Sequence, residues 1–171
     1  MHYKANPHRS IQLFVLLGRS ACETHILRDP GRILSIDYGE KRVGLAITDP
    51  LAITARGFQT LINKDRIGIL TALVDIISSN EIKKIVIGIP YSLDGSIGQM
   101  AERVKKFSEE LSTKTDVEIE EWPEEYSSED AKIELRKLGV DFRKDKGKVD
   151  RMAAALILRS YLNAQPLTES L

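Results

Sequence analysis

The chain has 171 residues, enough for one domain with a substantial core and too few for two large ones. It is 42% apolar and 29% charged, with 25 basic and 25 acidic side chains, so net charge points to no polyanionic partner. A single cysteine, Cys22, excludes a disulfide framework and a thiolate zinc site, and no apolar run approaches the ~20 residues that span a bilayer.

Residues 1–31 stand apart. Lys4, Arg9 and Arg19 precede the first acid, Glu23, and the apolar run IQLFVLL is followed by GRSACE, a poor cleavage site. We read this stretch as a poorly ordered extension on a cytoplasmic protein, residues 32–165 as one domain, and 166–171 as a tail. His2, His8 and His25 all fall in the extension and receive no catalytic role.

From Arg32 the pattern alternates between strands and helices. RILSID predicts a first strand. YGEK turns into RVGLAIT, a second, and ITARGFQTL a third, with connections short enough for an antiparallel meander. In DRIGILTALVDIISSNE, Ile67, Leu70, Leu73, Val74 and Ile77 recur at helical spacing. KKIVIGIP is a continuous apolar run, as in a strand covered on both faces. A helix is predicted from Ser96, with Ile97, Met100, Val104, Phe107 and Leu111 on one side. VEIEEW alternates as a fifth strand. Ser127 with Asp130 resembles a capping box, Gly139 marks a helix stop, and VDRMAAALILRSYL is the last helix. The order β-β-β-α-β-α-β-α-α predicts an α/β fold: a five-stranded mixed sheet with helices on both faces, its last two strands reached by right-handed crossovers.

In such a sheet, function gathers beyond the carboxyl ends of the parallel strands. Asp37 closes strand one, the loop YSLDG follows strand four, Glu124 and Glu125 follow strand five, and Asp150 opens the last helix. These are hard oxygen ligands, suited to Mg2+ or Mn2+. Crowded carboxylates stay ionised only if a cation offsets their repulsion, and paired ions can clamp a phosphodiester for hydrolysis. Gly39 and Gly44 would let a phosphate backbone come close. Each residue also has a plain structural role: Asp37 as a turn former, Asp150 as a helix cap, Glu124 as one charge in an acidic run. Residues 101–130 hold 11 acids and 4 bases, whereas 132–151 hold 8 bases and 4 acids, which suits either a bound polyanion or two solvated faces. No GxxxxGK loop and no G-x-S-x-G elbow is present.

Four blocks, RILSIDYGEKRVGLAITDP, IGIPYSLDGSIGQ, EEYSSEDA and KVDRMAAALILRSYL, resemble the signature blocks of the YqgF/RuvX family across Arg32 to about Leu162. That resemblance implies an RNase H-like fold with sheet order 3-2-1-4-5 and metal-dependent phosphodiester hydrolysis. It implies maturation of the 5′ end of 16S rRNA or, alternatively, resolution of Holliday junctions in branched DNA. Its acidic positions fall on Asp37, Glu124 and Asp150. The family block D-E-R-x-T-[TS] reads Pro123, Glu124, Glu125, Tyr126, Ser127, Ser128 here, so Glu125 competes with Glu124 and an arginine fork is lost. A catalytically weakened assembly factor is the reading this change keeps open. Lys41, Arg42, Ser96 at a helix start, and Arg143, Lys144, Lys146 and Lys148 are the expected phosphate contacts. The expected partner is a ribosomal RNA precursor or branched DNA, bound by a monomer or a homodimer. A sugar-kinase-like phosphotransferase would share the D-x-G hairpin but needs a second domain that this length does not hold.

Overall fold

The computed structural model describes residues 31–90, 98–124, 128–142 and 145–165. Strands β1 (Arg32–Tyr38), β2 (Arg42–Thr48) and β3 (Ala55–Ile62) lead into α1 (Arg66–Ser79). They are followed by β4 (Ile82–Ile89), α2 (Gln99–Ser112), β5 (Glu118–Pro123), α3 (Ser128–Lys137) and α4 (Lys146–Ala164). The sheet order is β3-β2-β1-β4-β5. β1–β2 and β2–β3 pair antiparallel, whereas β1–β4 and β4–β5 pair parallel. The carboxyl ends of β1, β4 and β5 therefore share one edge.

Side-chain alternation divides the sheet. Leu34 and Ile36 of β1, with Ile85, Ile87 and Ile89 of β4, meet Ile69, Leu70, Leu73 and Ile77 of α1 and Val104, Phe107 and Leu111 of α2. Ile33 of β1, Ala46 of β2 and Val86 of β4 face α4 through Ala154, Ala155, Ile157, Leu158 and Tyr161. α3 leans on α4. The helices thus cover both faces, as expected.

α4 lies close to the sheet because small residues meet there. A Cβ placed on Gly88 would come within 2.6 Å of Ile157 Cδ1, and one on Gly44 within 2.2 Å of the Asp150 carbonyl oxygen. The Ser35 hydroxyl donates to the Ala154 carbonyl at 2.5 Å and pins the register. Ser35→Ala should cost about 1 kcal/mol, roughly 3 °C in Tm, with the circular dichroism spectrum unchanged. A shift below ~1 °C in a melting scan would show that packing alone holds α4.

Several boundaries move. β3 starts at Ala55, since the Asp49 carboxylate holds Ile53 and Thr54 in the turn by accepting from both backbone amides. α4 begins at Lys146 with Asp145 in the cap position, so Asp150 lies inside the helix and does not open it. Ile67 is 78% exposed, off the buried face of α1, where Ile69 sits instead. α2 begins at Gln99. Gly139 ends α3 with φ +67°, and the Gly139 and Val140 amides donate to Arg136 and Leu135, a Schellman closure. The extension 1–30, the YSLDG loop, Ser96, Ile97, Glu125, Ser127, Arg143, Lys144 and the tail 166–171 lie outside the described residues. Among the described residues, no helix is long and apolar enough to cross a membrane.

Candidate active site

The site follows from strand parity and from one helical register. On β1, residues 33, 35 and 37 face α4. The Ser35–Ala154 bond fixes one point of contact. Two residues further along β1 is about 6.6 Å. Four residues back along α4 is about 6 Å. The two steps nearly match, so Asp37 arrives beside Asp150. Asp37 also pairs with Gly44 across β1–β2. Because Gly44 has no side chain, the Asp150 backbone can rest directly on β2.

Glu124 comes from the other side. On β5, Glu120 and Trp122 turn toward α4, where Tyr161 Oη donates to Glu120 and Trp122 Nε1 donates to Ser160. Glu124 continues that parity one residue past the strand, and its amide donates to the Ile89 carbonyl at 2.9 Å. Gly88 of β4 pairs with Trp122, and its missing side chain lets Ile157 of α4 seat between β1 and β5.

Asp37 feels the other two carboxyl groups. The Asp37 acid is raised from 3.8 to about 7, chiefly by burial and further by the charges of Glu124 and Asp150. Burial also pushes the Glu124 acid upward. Among the described residues, Asp37 accepts no side-chain hydrogen bond. Asp150 differs: Arg42 engages both its oxygens, Nε to Oδ2 and Nη2 to Oδ1 at 3.3 Å. Arg42, Gly44 and Ala46 share the α4-facing side of β2, which is how the guanidinium reaches Asp150. Alternation along β2 carried that signal, but its partner lies 108 residues away.

The remaining expected contacts rim this edge. Gly39 is demanded by the β1–β2 turn: its amide donates to the Arg42 carbonyl at 2.9 Å, and a Cβ there would meet that oxygen at 2.6 Å. Lys41 and Lys146 are exposed. Lys148 is tied back, donating to the Asp141 carbonyl at 2.9 Å. Beneath the site, Tyr38 stacks on Phe107 with centroids 4.4 Å apart. Arg66 lies over both rings and donates to the Tyr38 hydroxyl at 2.6 Å and to Glu110 at 2.6 Å. Composition and spacing gave no hint of this brace.

The donors suit a hard divalent cation in kind: three carboxyl groups, no thiol and no imidazole. Among the described residues, no group of three or more His, Cys, Asp or Glu side chains is placed so that it could hold a metal ion.

A mixed sheet of order 3-2-1-4-5 with an acidic edge beside α4 defines the RNase H-like class. The RuvC resolvase of Thermus thermophilus, in complex with a Holliday junction substrate, overlays with a TM-score of 0.53 at 14% identity, over 78% of this chain and 95% of that one. The fowlpox virus resolvase with junction DNA gives 0.50 at 11% identity, over 77% and 97%. At such identities the likeness establishes the fold. Residues 31–164 match the RuvX family, described as Holliday junction resolvase, and the chain belongs to that family. A relative in Koribacter versatilis, provisionally named a pre-16S rRNA nuclease, is 39% identical over 132 residues, 77% of this chain and 86% of its own length. One of the same name in Syntrophus aciditrophicus is 42% identical over 136 residues, 78% and 89%.

Proposed function

We propose that this protein is a metal-dependent nuclease that matures the 5′ end of 16S rRNA in the cytoplasm, with Asp37, Glu124 and Asp150 as its catalytic carboxylates. The observation that carries the reading is Asp37: a half-buried acid without a hydrogen-bond donor among the described residues, crowded by two further carboxyl groups, in a chain whose relatives bear the pre-16S nuclease name. An acid raised to about 7 is only about half ionised near neutrality, and a cation between the carboxylates would favour the charged form. Asp37, Glu124 and Asp150 would hold Mg2+ or Mn2+, which when bound polarises the scissile phosphate and acidifies the attacking water.

The chain supplies the rest. The hairpin closes on Gly39, whose missing Cβ makes way for the Arg42 carbonyl and not for substrate. Lys41 in the hairpin and Lys146 at the start of α4 present exposed charges to a phosphate backbone. The Arg42 guanidinium offers a planar fork that matches a phosphate as well as it matches Asp150. β1 and β5, both held in the sheet, set the spacing of Asp37 and Glu124 before substrate arrives.

Resolution of branched DNA is the second reading, kept by the description of the RuvX family as Holliday junction resolvase. Precursor 16S rRNA and a four-way DNA junction should be offered to the protein with Mg2+, with Mn2+ and with chelator. The expected result is cleavage of the RNA with either ion and none with chelator. Preference for the junction selects the second reading. Tight RNA binding without cleavage, at every ion tried, selects an assembly factor, and cleavage that survives chelation removes the metal mechanism.

A further inference from the structure

We propose that Arg42 is an exchangeable counter-ion that couples nucleic-acid binding to metal binding; this rests on the nuclease reading above. Its guanidinium occupies both oxygens of Asp150 and neutralises that carboxylate alone. Asp37 and Glu124 receive no such partner among the described residues, and burial presses on both. A carboxylate whose two oxygens face a guanidinium cannot give a divalent cation its full strength. In the empty site, Arg42 and the ion therefore compete for Asp150.

The geometry lets the competition be settled by substrate. The Arg42 backbone is fixed: its carbonyl accepts from Gly39, and the residue pairs with Ile62 of β3. Its side chain is 32% exposed, against 17% for Asp150, so the fork is the more accessible of the two groups. An arriving phosphodiester offers two anionic oxygens in the geometry the fork already uses. Only side-chain torsions need change for the guanidinium to pass from Asp150 to phosphate. Asp150 is then left as an unpaired carboxylate beside Asp37, and the affinity of the site for a cation rises. Reciprocity follows: nucleic acid tightens metal binding, and metal tightens nucleic-acid binding by the same factor.

The test measures Mn2+ affinity from the EPR signal of free ion. Wild type, Arg42→Gln and Arg42→Lys are each titrated with and without a short single-stranded RNA, whose own Mn2+ binding is subtracted. Without RNA, Arg42→Gln should hold Mn2+ about tenfold more tightly than wild type, within the usual range of site-to-site coupling. RNA contributes oxygens of its own in every case, but it should tighten Mn2+ about tenfold more in wild type than in Arg42→Gln. Arg42→Lys, a point charge without the fork, should fall between them, and it carries the test if Arg42→Gln does not fold. An uncharged methylphosphonate backbone should produce none of the wild-type tightening. Lys114→Gln, which removes an exposed cation beyond the far end of α2, should leave Mn2+ affinity unchanged. Equal RNA-free affinities in wild type and both Arg42 variants overturn the proposal, as does a Lys114→Gln effect equal to that of Arg42→Gln. A wild type that binds no Mn2+ with or without RNA removes the nuclease reading itself, and this proposal with it.

Discussion

Asp37→Asn should abolish metal-dependent cleavage and, in the same protein, raise the stability of the chelated fold. Loss of an ionic ligand forfeits several kcal/mol of transition-state stabilisation, about a thousandfold or more in rate. The stability gain has the opposite origin. In the folded chain the Asp37 acid is held at about 7, against 3.8 in an open chain. The folded form thus binds this proton more tightly than the unfolded one. Between those two values stability falls as pH rises, and above about 7 the loss is complete. An amide carries no charge into the site. Near pH 8, in chelator, the variant should exceed wild type by about 2 kcal/mol, or roughly 6 °C in Tm, and the advantage should vanish toward pH 4. Saturating Mg2+ should reverse the order, because only wild type gains from binding. Melting curves across pH with and without Mg2+ decide the matter. A variant less stable than wild type in chelator at pH 8 would show that Asp37 is held by contacts the carboxyl crowding does not describe.

Gly44→Ala is the second large effect. Its Cβ would lie 2.2 Å from the Asp150 carbonyl oxygen and 2.6 Å from the carbonyl carbon, backbone atoms that cannot swing aside. The first turns of α4 must lift from β2. We expect a loss of about 3 kcal/mol, roughly 10 °C in Tm. Cleavage should fall about a hundredfold even where the protein remains folded, because Asp150 moves with the helix. Gly57→Ala provides the scale: there the nearest atom is the Arg151 Cβ at 3.0 Å, so the cost should be markedly smaller. Equal effects at the two positions would mean that Gly44 is not a contact point for α4.

These two residues also mark how far the amino-acid sequence could be read. Asp37 and Gly44 fall in a strand-turn-strand whose alternation is unambiguous, and the antiparallel meander and parallel crossovers were legible on the same terms, whereas the strand order came from the family resemblance. Asp150 was identified as a candidate, but its place in the helix was not. KGK, the true first turn of α4, has no apolar residue to signal a helix, so the periodic stretch starting at Val149 took its place. Ile67 illustrates a related failure: helical spacing fits it as well as Ile69, and only the packed sheet selects between them. The Arg42–Asp150 pair joins residues 108 positions apart, and no local pattern reports a contact of that span. Arg42 was legible as a cation near the site, and its attachment to Asp150 was not.

The brace under β1 has a consequence for how this architecture can vary. Asp37 and Tyr38 are neighbours that leave the strand in opposite directions. On the far face Tyr38 stacks on Phe107 and is held by Arg66, which lies over both rings and is itself anchored to Glu110. Twisting the main chain to re-aim Asp37 would unstack a ring buried on the other side of the sheet. The aspartate therefore behaves as a fixed datum, and adaptation to a new substrate falls to the hairpin tip, the region after β5 and the approach to α4, which can be rebuilt without disturbing it.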